Sequence, residues 1–83
     1  MKHRLINLGT LLGAIYDGAM VEVENYDGSV LTAVESAYFL RKRMKKELFK
    51  MKVYSITYDC CFPDQRARID YICVKVIDAS LVK

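Results

Sequence analysis

Apolar and polar residues follow a helical period in two places and alternate in others. Leu8, Leu11, Leu12 and Ile15 recur at the spacing of one helix face, which predicts a short helix over residues 8–15. Asn7 stands at its N-cap position. Gly9 and Gly13 each cost such a helix about 1 kcal/mol relative to Ala, so it must be held by packing. Glycines four apart also let another element come close. Tyr16-Asp17-Gly18 ends the helix. Val21 and Val23 then alternate with Glu22 and Glu24, the pattern of a strand with one solvated face. Tyr26-Asp27-Gly28-Ser29 predicts a tight hairpin turn, and Val30-Leu31 a short returning strand.

From Thr32 to Lys52 there is no Gly or Pro. Thr32-Ala33-Val34-Glu35 has the spacing of a capping box, in which the hydroxyl takes an amide and the carboxylate reaches back. Ala33, Ala37, Leu40, Met44, Leu48 and Met51 then fall on one helical stripe. The spacing predicts a long helix over residues 33–48. An ideal helix points Phe49 outward; one that ends near Lys46 lets Phe49 fold back as a lid on the core.

Val53 to Cys61 and Arg68 to Ile77 read as two further strands, with Phe62-Pro63-Asp64-Gln65 as the turn between them. A four-residue loop opposes Tyr54 to Cys73, Ile56 to Tyr71, Tyr58 to Ile69 and Asp59 to Arg68. A slip by one residue opposes Ile56 to Ile72 and Tyr54 to Val74, exchanging the faces of one strand relative to the other. Both registers leave the last strand apolar on both sides. That predicts cover for the second sheet face, from the N-terminal helix or from another subunit. The expected fold is α+β: a single domain over residues 1–83 in α-β-β-α-β-β order, with a four-stranded, mostly antiparallel sheet. Residues 1–6 form an N-terminal arm and 78–83 a C-terminal tail.

Charge changes this picture at one place. The net charge is only +3, but residues 41–52 hold seven Lys/Arg against Glu47, a local charge of +6 that leaves the remainder at −3. One basic patch on a dipolar surface follows. On the long helix, Lys42, Arg43, Lys46 and Lys50 point away from the apolar stripe, together with Tyr38 and Phe39. Cations among aromatics suit an acidic protein surface or nucleic acid, where phosphates meet the cations and bases stack on the rings. They also fit a merely solvated face.

Catalytic and metal chemistry find little support. Cys60, Cys61 and Cys73 are an odd set with a vicinal pair, unlike a secreted disulfide framework. Vicinal side chains on a strand point to opposite faces and do not present two thiolates to one ion. His3, the one histidine, has no nearby nucleophile in sequence. The glycines match no phosphate-binding fingerprint. No catalytic residue, metal or cofactor is expected. The basic, apolar N-terminus is short and glycine-broken for a signal peptide, and no run approaches the ~20 apolar residues that span a bilayer. A reduced, cytoplasmic protein without a membrane partner is expected.

TLLGAIYDGAMVEVENYDGSVL, then the helix, then KVYSI and RIDYICVKV, resembles short hypothetical proteins carried by phages and mobile elements of Gram-positive gut bacteria. The likeness covers residues 8–77, and the helix here is more basic than in that group. Such genes often encode anti-defence inhibitors, including anti-CRISPR-like proteins that block a nuclease by occupying its surface. The resemblance implies a non-enzymatic, stoichiometric inhibitor or modulator of a bacterial protein or nucleoprotein. The likeness carries over no site residue; the outward face of the basic helix places the expected contact surface at Tyr38, Phe39, Lys42, Arg43, Lys46 and Lys50. A small nucleic-acid-binding accessory protein and a subunit that homodimerises through its sheet are the alternatives.

Overall fold

The computed structural model describes residues 5–81. It is α+β, with seven principal elements in the order α-β-β-α-α-β-β. They are α1 (Leu8–Ala14), β1 (Met20–Asn25), β2 (Val30–Ser36), α2 (Ala37–Arg43), α3 (Lys46–Phe49), β3 (Lys52–Asp64) and β4 (Ala67–Ile77); a 3-10 turn (Ala79–Leu81) follows. His3 and most of the expected N-terminal arm lie outside the described residues. The part of the arm that is described docks on the start of β3: Val53 N donates to Ile6 O at 2.8 Å, and Asn7 bridges Lys52.

The four strands lie in the order β2-β1-β4-β3. Two antiparallel hairpins meet along a parallel β1–β4 seam, where Val21 faces Ile72 and Val23 faces Val74. Antiparallel pairing thus dominates, as expected, with one parallel seam between the hairpins. Leu8 and Leu12 of α1 and Ala37 and Leu40 of α2 are buried in one cluster with Val21, Val23, Val53, Val74 and Val76. All these strand residues share one sheet face by register, so both α1 and α2 sit on that face. Among the described residues neither α1 nor α2 lies on the opposite face, which carries Glu22, Glu24, Thr57, Cys73 and Lys75. Of the two covers expected for the second sheet face, α1 is therefore not the one.

The first hairpin turn forms as its Asp-Gly signal predicts. Gly28 N donates to Asn25 O at 2.9 Å, and Gly28 has φ of +94°, a conformation glycine adopts without Cβ strain. Asp27 Oδ1 accepts from Ser29 N at 2.9 Å and from Ser29 Oγ at 2.7 Å. These bonds to Ser29, through its side chain first, hold the Asp27 carboxyl below its usual range.

Three expectations fail in the middle and at the end of the chain. Thr32 does not cap a helix: residues 30–36 are strand, and the Thr32 hydroxyl accepts from Val23 N at 3.1 Å. β-branched Thr32 and Val34 suit the pleat, and β1 pairs with this segment antiparallel, with register shifts on either side of Val23. The true N-cap is Ser36, whose side chain accepts from Phe39 N at 3.3 Å. The expected helix over 33–48 is also broken, because Met44 and Lys45 are extended, with ψ of 143° and 141°. Like charges at i,i+3 and i,i+4 (Lys42–Lys45, Lys42–Lys46, Arg43–Lys46) each cost an unbroken helix a few tenths of a kcal/mol. The break also turns Met44, Leu48, Phe49 and Met51 onto the core. Phe49 is the lid, not a surface residue, and it covers Gly9, where a Cβ would lie 3.2 Å from Phe49 Cβ.

The second hairpin adopts neither expected register. Ile56 faces Val74, Tyr58 faces Ile72 and Asp59 faces Tyr71. β3 runs through Pro63 to Asp64, and the turn is Gln65-Arg66. Asp64 Oδ1 closes it by accepting from Arg66 N and Ala67 N at 2.6 and 3.0 Å. Pro63 is tolerated because β3 is an edge strand that needs no outward ladder. The hairpin reaches beyond the helix layer: within β3 only Val53 is buried, and the molecule is 45 Å long against 24 and 21 Å across.

Candidate functional site

Seven residues of α2 bring four of the six expected contact residues together. Ala37 and Leu40 face the core, so Tyr38, Phe39, Lys42 and Arg43 face out. The i,i+4 spacing places Lys42 Nζ over the Tyr38 ring, 4.5 Å from its centre. Arg43 Cζ lies 5.2 Å from the centre of the Phe39 ring by the same spacing. The two rings meet edge to face, with centroids 6.1 Å apart and planes at 81°. Each cation–π contact contributes about 0.5–1 kcal/mol at an exposed site. They hold the four side chains in one arrangement while leaving Tyr38 42% and Phe39 45% exposed.

Lys46 and Lys50 stand apart from this cluster. The break at Met44-Lys45 puts them on α3 and its C-cap, both exposed. Among the described residues no ion pair or cation–π contact links them to α2. Lys45 joins the surface instead, beside Arg43 in a groove of 380 Å³ that also meets Leu31, Thr32, Glu47 and Leu48. The charge run already contained Lys45, but an unbroken helix gives it the wrong phase.

Two of the seven cations in the run have structural work. The Arg41 guanidinium donates to Leu12 O at 2.6 Å and Ile15 O at 3.3 Å and pairs with Asp17. These carbonyls belong to the last turn and C-cap of α1, which has no other partner for them in its own ladder. Lys52 Nζ donates to Asn7 Oδ1 at 2.7 Å. Asn7 therefore holds Lys52 rather than capping α1 with its side chain.

On the open sheet face, Glu22, Glu24 and Cys73 converge, their donor atoms within 4.8 Å of one another. The Cys73 thiol donates to Glu24 Oε2 at 3.2 Å. Burial first, then that bond and the two carboxylates, push its pKa up to about 11. Burial and the neighbouring Glu24 raise the Glu22 carboxyl above its usual range. A thiol so protonated is a weak nucleophile at neutral pH. Cys60 and Cys61 alternate across β3, opposite Asp70 and Ile69, and do not converge. Asp59 and Asp70 point to opposite faces, and Asp70 is paired with Arg68 at 2.8 Å. Among the described residues no helix is long and apolar enough to cross a membrane.

No protein-family model, curated protein or solved structure matches this chain.

Proposed function

We propose that this chain is a non-enzymatic binding protein that occludes an acidic surface of a bacterial protein. The observation that carries the reading is the α2 cluster, two exposed aromatic rings each topped by a cation. Cations steer the encounter with an acidic surface, and aromatic rings anchor it once water is excluded. The resemblance to proteins of phages and mobile elements suggests a cytoplasmic, anti-defence setting. Stoichiometric occlusion needs no catalytic group.

A protein partner fits better than single-stranded nucleic acid. Stacking needs open ring faces, and Lys42 and Arg43 each occupy one face of their ring. The test is capture from bacterial lysate with and without nuclease, repeated with the triple variant Lys42→Glu, Arg43→Glu, Lys46→Glu. We expect capture to survive nuclease and the variant to weaken binding of the captured protein by at least about 100-fold, with an unchanged circular dichroism spectrum. Capture lost with nuclease would point to nucleic acid. Binding undiminished in the variant would reject this surface.

A further inference from the structure

Among the described residues, the outer edge of β3 beyond Val53 is the longest unpaired strand edge. Between its two irregularities, at Val53/Ser55 and Cys61/Asp64, β3 pairs regularly with β4 over Ser55–Cys61. Among the described residues no strand lies along its other edge over Ser55–Cys61; Ile6 and Asn7 reach that edge only at Val53 and Lys52. Natural edges are usually blunted by Lys, Pro, bulges or brevity. Ser55–Cys61 has only Asp59 as a charge and no proline. β2, the opposite edge, is interrupted twice within seven residues. β3 also leaves apolar side chains in water: Tyr54 is 58% exposed, Ile56 48%, Tyr58 84% and Phe62 64%.

We infer that β3 pairs antiparallel with the β3 of a second copy of this chain, around a two-fold axis at Tyr58. Three features favour a second copy over another strand. First, Tyr58 is the midpoint of Ser55–Cys61, so pairing centred there uses the whole regular stretch of both copies. Second, the resulting pairs match in kind: Ile56 meets Cys60, Tyr58 meets Tyr58, Ser55 meets Cys61, and Asp59 meets Thr57 rather than another carboxylate. A centre one residue further on would set Asp59 against Asp59. Third, the area suffices. A whole aromatic side chain buries about 150–250 Å², and the exposed parts of Tyr54, Tyr58 and Phe62, with Ile56 and the backbone edge, offer up to on the order of 1,000 Å² in two copies. That reaches the roughly 1,000 Å² expected of a specific interface.

The two-fold axis stands perpendicular to the sheet, so the eight-stranded product carries both helix layers on one side. Ile56 and Tyr58, which share the helix face with Val74 and Ile72, floor the trough between them. Both α2 surfaces then point from the same side of one assembly.

Sedimentation of the purified chain across micromolar to millimolar concentration tests this. We expect the mass to rise from one to two 9.6-kDa chains. The double variant Ile56→Lys, Tyr58→Lys should remain monomeric with an unchanged circular dichroism spectrum. In a Cys60→Ser, Cys61→Ser background, Tyr58→Cys should crosslink to itself on mild oxidation. Ser55→Cys should not, because six residues of extended chain, about 20 Å, separate the two copies of that position. A wild-type chain that stays monomeric at every concentration overturns the proposal, and is the result if β3 receives a strand of a different protein. Dimers that persist in the double variant, or equal crosslinking at both positions, overturn it as well.

Discussion

Replacing Arg41 with Met should unfold this protein more readily than any other single change in its basic run. The guanidinium closes the C-terminal end of α1 through the Leu12 and Ile15 carbonyls. A hydrogen bond from a charged donor contributes about 1.5–3 kcal/mol, and we take the bond to Leu12 O, at 2.6 Å, at about 1.5–2 kcal/mol. The 3.3 Å bond to Ile15 O adds less. The ion pair adds under about 1 kcal/mol, because the Asp17 side chain is 68% exposed. Met keeps the apolar stem, so the loss is electrostatic, about 2–3 kcal/mol in total. At about 4–8 °C per kcal/mol for a small domain, Tm falls by roughly 10–20 °C. Lys42→Met, one residue away, loses only an exposed cation–π contact and should melt within about 8 °C of the parent. Thermal unfolding followed by circular dichroism compares the two directly. Equal melting of the two variants would refute the assignment of Arg41 to the frame of the fold.

Three further outcomes follow from local geometry. Glu22→Gln should stabilise the protein at pH 7 by a few tenths of a kcal/mol and have no such effect at pH 3. The folded-state pKa of Glu22 is raised from 4.5, so wild-type stability is full below that value and declines as pH rises through the folded pKa; denaturant titrations at the two pH values check it. Gly13→Ala should raise stability by about 0.5–1 kcal/mol, since its Cβ meets nothing within 4 Å, whereas Gly9→Ala should not, because Phe49 blocks it; equal gains in Tm would contradict the lid. Alkylation at pH 8 should label Cys73 last of the three cysteines, given burial and a pKa of about 11, and denaturant should abolish the difference; mass spectrometry of the labelled peptides reads this.

Local signals were legible in the sequence where the local contacts decide the structure. Asp27-Gly28 specifies its turn through bonds among residues 25–29, and the apolar face of α1 emerges where its period places it. Thr32-x-x-Glu35 misled because a capping box and a β-branched strand share the same letters. The choice between them rests with β1, a partner nine residues away, through Thr32 Oγ1 and Val23 N. The hairpin register was equally beyond local reach. The side chain of Asp64 moved the turn to Gln65-Arg66, past a proline that elsewhere marks the turn itself.

The proposed contact surface follows the same logic, and its limits are those of helix phase. Within α2 the phase holds, so Tyr38 with Lys42 and Phe39 with Arg43 emerge as pairs from spacing alone. Arg41 lies in the same helix, yet its partners are 26 and 29 residues upstream, and no spacing rule could separate it from its cationic neighbours. At Met44 the phase resets. Phe49 then turns inward, Lys45 turns toward Arg43, and Lys46 and Lys50 move to a separate turn. The six expected residues therefore divide by mechanism. Tyr38, Phe39, Lys42 and Arg43 are held by one another and can anchor a partner at little entropic cost. Lys46 and Lys50 are held by neither ring; on the proposed reading they contribute long-range charge, which acts on the rate of encounter and is screened by salt.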